Sequence, residues 1–164
     1  MNIVDARFER LSDVTLVDIF GAVGVYVLWT KDAVARPSYI GEGNLLRRLN
    51  EHVHDWLGRT GDGCVAILGY TSERPSKFDA EVVEGTLLEA ADRLGRLPIR
   101  NEQGPRMRAL WSRGQRGHST IRVRIRGWHP LLRRSRLQQD AIFHWRWNEY
   151  YGWELDDRFP WRAR

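Results

Sequence analysis

Tyr26 and Tyr39 stand thirteen residues apart, each in a short motif that also carries glycine: Gly24-Val25-Tyr26 and Tyr39-Ile40-Gly41. Arg48 and His52 follow at a spacing of four, one helical turn, which puts both side chains on the same face of a helix. Glu84 and Asn101 come later. Taken singly these residues are ordinary, since a strand tyrosine usually packs and a helix glutamate is usually solvated. As a set they hold the types that chemistry on a phosphate-like anion requires. A guanidinium offers planar, bidentate hydrogen bonds to phosphate oxygens. One carboxylate is enough to hold a magnesium ion that keeps most of its water shell. A phenol, with an ordinary pKa of about 10, is a poor base at neutral pH unless a neighbouring guanidinium or metal-bound water lowers it, which would make Tyr26 an acceptor for a water's proton. His52 could relay that proton or orient a tyrosine.

The elements that must position these groups are legible from periodicity. Residues 23–30 are rich in β-branched and aromatic types and read as a strand, entered through Gly21 and Gly24. A turn with Arg36-Pro37 leads to a short second strand at 38–41, and the two read as a hairpin. Asn44 can cap the next helix, whose stripe is Leu45, Leu46, Leu49, Val53, Trp56 and Leu57, with Gly58 and Gly61 at its end. Residues 64–70 form an almost wholly apolar third strand, central in the sheet. Ser76 with Asp79 offers a cap for a second helix, with Ala80, Val83, Leu87, Ala91 and Leu94 on its core face and a stop near Gly95 and Pro98. The expected fold class is α/β: a small, mostly antiparallel three-stranded sheet flanked by helices, with a C-terminal strand and helical extension. Residues 1–104 form the core with an N-terminal lead-in, and 105–164 an Arg/Trp-rich extension packed on it as one compact domain.

In that order the chain resembles the GIY-YIG endonuclease family. The matching residues are Gly24-Val25-Tyr26, Tyr39-Ile40-Gly41-Glu42-Gly43-Asn44-Leu45-Leu46-Arg47-Arg48-Leu49-Asn50-Glu51-His52, Glu84-Gly85-Thr86-Leu87-Leu88 and Leu97-Pro98-Ile99-Arg100-Asn101, spread over about residues 22–104. The resemblance implies a metal-dependent DNA endonuclease, with Tyr26 and Tyr39 as the active-site tyrosines, Arg48 as catalytic arginine and His52 as the helix histidine. It makes Glu84 the ligand of Mg2+ (or Mn2+) and Asn101 a late structural asparagine. Two departures stand out. Glu42 occupies a position where the family often has a basic residue, and the segment before the first helix is about one residue shorter than in the family's repair nuclease. Glu81, one turn before Glu84, is the rival ligand; Leu87-Leu88 matches the family's apolar pair and favours Glu84.

Charge supplies an independent indication of partner. Residues 1–104 carry 12 basic against 16 acidic side chains, 12 − 16 = −4, whereas 105–164 carry 14 against 5, 14 − 5 = +9. An arginine-rich third on an acidic body suits a polyanion. Within it, residues 120–126 alternate strictly, with Ile121, Val123 and Ile125 on one face and Arg122, Arg124 and Arg126 on the other, and Arg133, Arg134 and Arg136 follow. These six arginines are the candidate nucleic-acid contacts, with a solvated sheet face as the plainer alternative. Six of the eight tryptophans lie beyond residue 110, and core packing accounts for them better than base stacking. Cys64 is the single cysteine, so no internal disulfide forms, and His52 and His54 point to different helix faces, a poor zinc pair. No apolar run is long enough to cross a bilayer and no secretory signal opens the chain, so no membrane partner and a cytoplasmic location are expected. DNA is the expected substrate. A binding module of the same fold without cleavage and an RNA nuclease are the alternatives.

Overall fold

The computed structural model describes residues 2–31, 33, 35–52, 62–70, 76–98, 101, 120–150 and 152–161. Strand β1 (Asn2–Arg10) runs through a 3-10 turn (Leu11–Asp13) into the short helix α1 (Leu16–Ile19). There follow β2 (Ala22–Trp29), β3 (Tyr39–Asn44), α2 (Leu45–His52), β4 (Asp62–Tyr70), α3 (Ser76–Arg93), β5 (Thr120–Gly127), β6 (Ala141–Asn148) and β7 (Gly152–Leu155). All seven strands belong to one curled, mixed sheet in the order β3-β2-β4-β1-β5-β6-β7.

This corrects the expected three-stranded sheet flanked by helices. Strands β3, β2 and β4 do pair antiparallel, but they are one end of a larger sheet. The extension arises at β1, where Val4, Ala6 and Phe8 are buried while Ile3, Arg7 and Glu9 face solvent. The exposed Ile3 blurs that alternation in the sequence. Residues 2–8 of β1 pair in parallel with β5, and Glu9 and Arg10 pair antiparallel with β4, so one strand stitches the two halves together. The helical C-terminal extension is also overturned. An edge strand at β5 would leave its outward backbone groups without partners; β6 supplies them and β7 pairs onto β6.

The two faces of the sheet are covered differently. On one, α1 and α2 pack over a small cluster of Ile19, Ala22, Tyr26, Leu28, Leu45, Leu49 and Val65. On the other, α3 lies in the main core with buried groups on nearly every side, including Ala80, Val82, Val83, Leu87, Leu88, Ala90 and Ala91. A helix apolar on so much of its circumference is a buried one. It reaches both halves: Trp145 Nε1 of β6 donates to Thr86 Oγ1 of α3 at 2.9 Å, and that hydroxyl donates to Val82 O at 2.8 Å. The expected stop is where the sequence puts it, since Gly95 adopts φ +66 just past the last turn. Asn44 Oδ1 accepts from Arg47 N at 3.1 Å, as a helix cap does. Val53, Trp56, Leu57, Gly58 and Gly61, assigned above to the first helix, lie outside the described residues, as does 102–119. No helix among the described residues is long and apolar enough to cross a membrane.

Candidate active site

Three elements bring the tyrosine, arginine and histidine side chains together. Tyr26 sits in the middle of β2, fully buried, directly across from Gly41 of β3. Gly41 has to be glycine, because a Cβ there would run into the Tyr26 hydroxyl and the Tyr39 ring. Gly24 is fixed for a similar reason, since a Cβ would meet the Ala66 carbonyl of β4 and stand 3.1 Å from Leu45 Cδ1. The glycines of both motifs thus clear space for rings and for strand-to-helix contact. Tyr39 opens β3 and is only partly buried; its ring stacks on Tyr26 with centroids 6.0 Å apart.

His52 closes α2 and is buried at 8% exposure. A hydrogen bond of 3.0 Å joins its Nε2 to the Tyr26 hydroxyl, and its ring lies 4.8 Å from that of Tyr39. One turn earlier, Arg48 Nη2 donates to the Tyr39 hydroxyl at 3.4 Å and Nη1 donates to Glu51 Oε2 at 2.6 Å. A guanidinium has five N–H donors, so most remain for an incoming anion. Burial works against the Arg48 charge, but Tyr26, Tyr39 and Glu51 together hold its pKa above the usual guanidinium range.

The electrostatics correct one expectation. Arg48 does act to lower the Tyr26 pKa, but burial dominates, with Tyr39 adding to it, and the phenol is held well above its usual range. Tyr26 is therefore a neutral hydrogen-bonding group at ordinary pH, and Tyr39 is the less buried of the two phenols.

Asn101 acts on the backbone. Its Oδ1 accepts from Ile40 N and its Nδ2 donates to Ile40 O, both at 2.9 Å. Ile40 lies on β3, the edge strand, so one side chain satisfies both outward backbone groups between Tyr39 and Gly41.

Glu84 lies on α3, partly buried, and makes no ion pair with a described residue. Burial pushes its carboxyl up to about 7, Glu42 and Glu81 adding to the shift and Lys77 and Arg48 opposing it. Lys77, which the sequence reading passed over, spans Glu42 at 2.5 Å and Glu81 at 3.7 Å. The signal for the second contact was present as a Lys/Glu pair four apart on a helix; the first joins α3 to β3 and leaves no local trace. The rival ligand Glu81 is thus engaged by an ammonium, whereas Glu84 is not. Both Glu42 and Glu81 are engaged by Lys77, so the half-buried Glu84 is the carboxylate here left as an oxygen donor of the kind Mg2+ or Mn2+ uses. Among the described residues no three His, Cys, Asp or Glu side chains converge as a metal cage, so a cation held by Glu84 would keep most of its water.

The arginines of the C-terminal third are dispersed. Arg122 is exposed on β5, while Arg124 and Arg126 both bind Asp5 of β1, the latter at 2.9 Å. Arg133 and Arg134 share Asp62 at 3.3 and 3.0 Å, and Arg136 lies over the Trp128 ring. The buried Trp145, Trp153 and Trp161 pack in the core. Comparison with protein-family models, with curated proteins and with solved structures gives no match.

Proposed function

We propose that the protein is a cytoplasmic, metal-dependent endonuclease of the GIY-YIG type that hydrolyses DNA phosphodiester bonds. The observation that carries this reading is the meeting of Tyr26, Tyr39, Arg48 and His52, drawn from β2, β3 and α2, in one linked cluster. Ordinary packing accounts for a buried tyrosine; it does not account for a chain of polar contacts from His52 through two stacked phenols to a guanidinium with donors to spare.

In this mechanism Glu84 would hold Mg2+ or Mn2+. When bound, such an ion would supply Lewis acidity to the phosphoryl oxygens. Arg48 receives the phosphate with its remaining N–H donors, where charge builds as the bond to the leaving oxygen breaks. Tyr39, partly exposed and accepting from Arg48, orients the attacking water, whose proton passes to bulk solvent. Tyr26 and His52 hold the Tyr39 ring from behind. Asn101 keeps the edge strand under Tyr39 in place.

The test is incubation with plasmid, single-stranded DNA and RNA, each with and without Mg2+, using wild type and Glu84→Gln. Metal-dependent nicking by wild type alone supports the proposal. Cleavage of RNA only would transfer the reading to an RNA nuclease, and binding without cleavage would leave a nucleic-acid-binding module.

A further inference from the structure

Beyond the tyrosine cluster, the densest unbalanced charge among the described residues lies where β1 ends and the loop after β5 turns back. That loop is tightly built. Trp128 N donates to Phe8 O at 3.0 Å, His129 N to Ser135 O at 2.7 Å and Leu137 N to Gly127 O at 2.9 Å, while Trp128 and Arg136 form a bridge. Gly127, at φ +83, allows the chain to press against the Phe8 carbonyl, and Arg134 turns the loop at φ 58. The guanidiniums of Arg10 and Arg136 sit over the Trp128 ring at 5.2 and 5.5 Å from its centroid. Neither makes an ion pair among the described residues. Arg133 and Arg134 share the single carboxylate of Asp62, and Arg134 is 66% exposed at its side chain.

Four guanidiniums against one carboxylate leave an excess of three positive charges on a rigid frame. The β5 face differs: Arg124 and Arg126 are bound to Asp5, and Arg7 of the adjacent strand to Glu9. Two arginines resting on an indole are held in place without losing charge, since a ring face attracts a cation but does not neutralise it. Their N–H edges remain available to oxygens, and planar forks suit phosphate.

The location also fits. Tyr39 pairs with Leu28, Leu28 with Gly63, and the neighbouring Cys64 with Arg10. Adjacent strands lie about 4.8 Å apart, so the backbone under Arg10 is roughly 15 Å from that under Tyr39, at the same end of the sheet. Arg10 shares its sheet face with Phe8, Cys64 and the main core, whereas Tyr39 shares the opposite face with Tyr26 and Leu28, so a nucleic acid that engages both must wrap around that end of the sheet.

We infer that Arg10, Arg136 and Arg134, arranged around Trp128, form a phosphate-backbone docking site for the nucleic acid on which the tyrosine cluster acts. This rests on the reading of the protein as acting on nucleic acid, but not on the hydrolysis step. Backbone contacts of this kind position a substrate without reading its sequence.

The test is fluorescence anisotropy with a labelled 20-base-pair duplex in metal-free buffer at several salt concentrations. Each phosphate contact contributes about 0.9 to the slope of log affinity against log salt. Arg10→Gln with Arg136→Gln should make the slope shallower by about two, and Arg10→Lys with Arg136→Lys should restore most of it because the charges return. Arg134→Gln, which also gives up the bond to Asp62, should remove up to about one, with thermal denaturation checking that the loop keeps its fold. An unchanged slope in both Gln variants overturns the site, as does failure of the wild type to bind any duplex. Loss of the hydrolysis reading would appear separately, as binding with this salt dependence but no Mg2+-dependent nicking.

Discussion

The β3-β2-β4 end of the sheet and the β5-β6-β7 end both bury large rings, with different results. At the first end the buried rings carry polar atoms that bond to each other: Tyr26 to His52, with Tyr39 stacked alongside and Arg48 reaching it. At the second, Phe143 and Trp161 meet edge to face with centroids 4.9 Å apart, Trp145 sends its one N–H to Thr86, and the arginines stay outside on the alternate positions of β5. The first arrangement holds polar groups inside apolar surroundings, where electrostatic interactions are strong and costly to leave unmet. The second spends its aromatics on packing. Chemistry should therefore be sensitive to single atoms at the first end and indifferent to them at the second.

The largest effect should come from Glu84→Gln, with nicking slowed about 10³-fold, the several kcal/mol that go with losing the metal's protein ligand, while duplex affinity in metal-free buffer changes little. Glu81→Gln should keep most activity; the reverse ranking would place the metal one turn earlier. Arg48→Ala should slow nicking about 10²- to 10³-fold, and Arg48→Lys should not recover it, because an ammonium lacks the fork. Recovery by lysine would reduce Arg48 to a point charge.

Single hydroxyls sharpen the contrast between the ends. Tyr39→Phe should reduce cleavage more than Tyr26→Phe. Tyr26→Phe should cost about 1–3 kcal/mol of stability, because it strips the hydroxyl from a buried imidazole nitrogen. Thr86→Val, which strips the partner of the Trp145 N–H, should cost about as much by the same argument yet leave cleavage intact. Matched denaturation and nicking measurements on the three variants decide this; equal activity in both tyrosine variants would take the phenols out of the mechanism.

A smaller effect should appear in the pH dependence of stability. The Glu84 carboxyl rises from an ordinary 4.5 to about 7 in the folded protein. The folded state therefore holds this proton more tightly than the unfolded chain does. The associated stability is fully present below about 4.5 and is lost as pH rises toward 7, by roughly 2–3 kcal/mol. Urea denaturation at pH 4.5 and 7 should show this loss in wild type and not in Glu84→Gln, and Mg2+ should offset it at pH 7. The smallest effect is expected on the β5 face, where Arg124→Gln with Arg126→Gln should change the salt slope of duplex binding by less than one, since Asp5 already offsets part of their charge. A change of two would move the docking site to that face.

Periodicity and local chemistry were enough to locate much of this molecule. The hairpin of β2 and β3, the Asn44 cap, the apolar β4, the core face of α3 and the inside-outside alternation of β5 follow from spacings of two or of three and four, which any short stretch of sequence carries. The same spacing put Arg48 and His52 on one face of a helix. What the sequence did not determine was how far the sheet would grow. A strand's need for a neighbour is met by whatever edge is available, and β1 satisfies two strands far apart in the chain, in parallel with one and antiparallel with the other. Nor could it set the Tyr26 pKa, because the outcome depends on whether burial outweighs a nearby guanidinium, and burial is decided by all the elements that close around the ring. The pairing of Lys77 with Glu42, of Asp5 with two arginines of β5, and the gathering of Arg10 and Arg136 on Trp128 belong to the same class. Residue types were visible from the start; which charges meet was decided only when distant strands came to lie side by side.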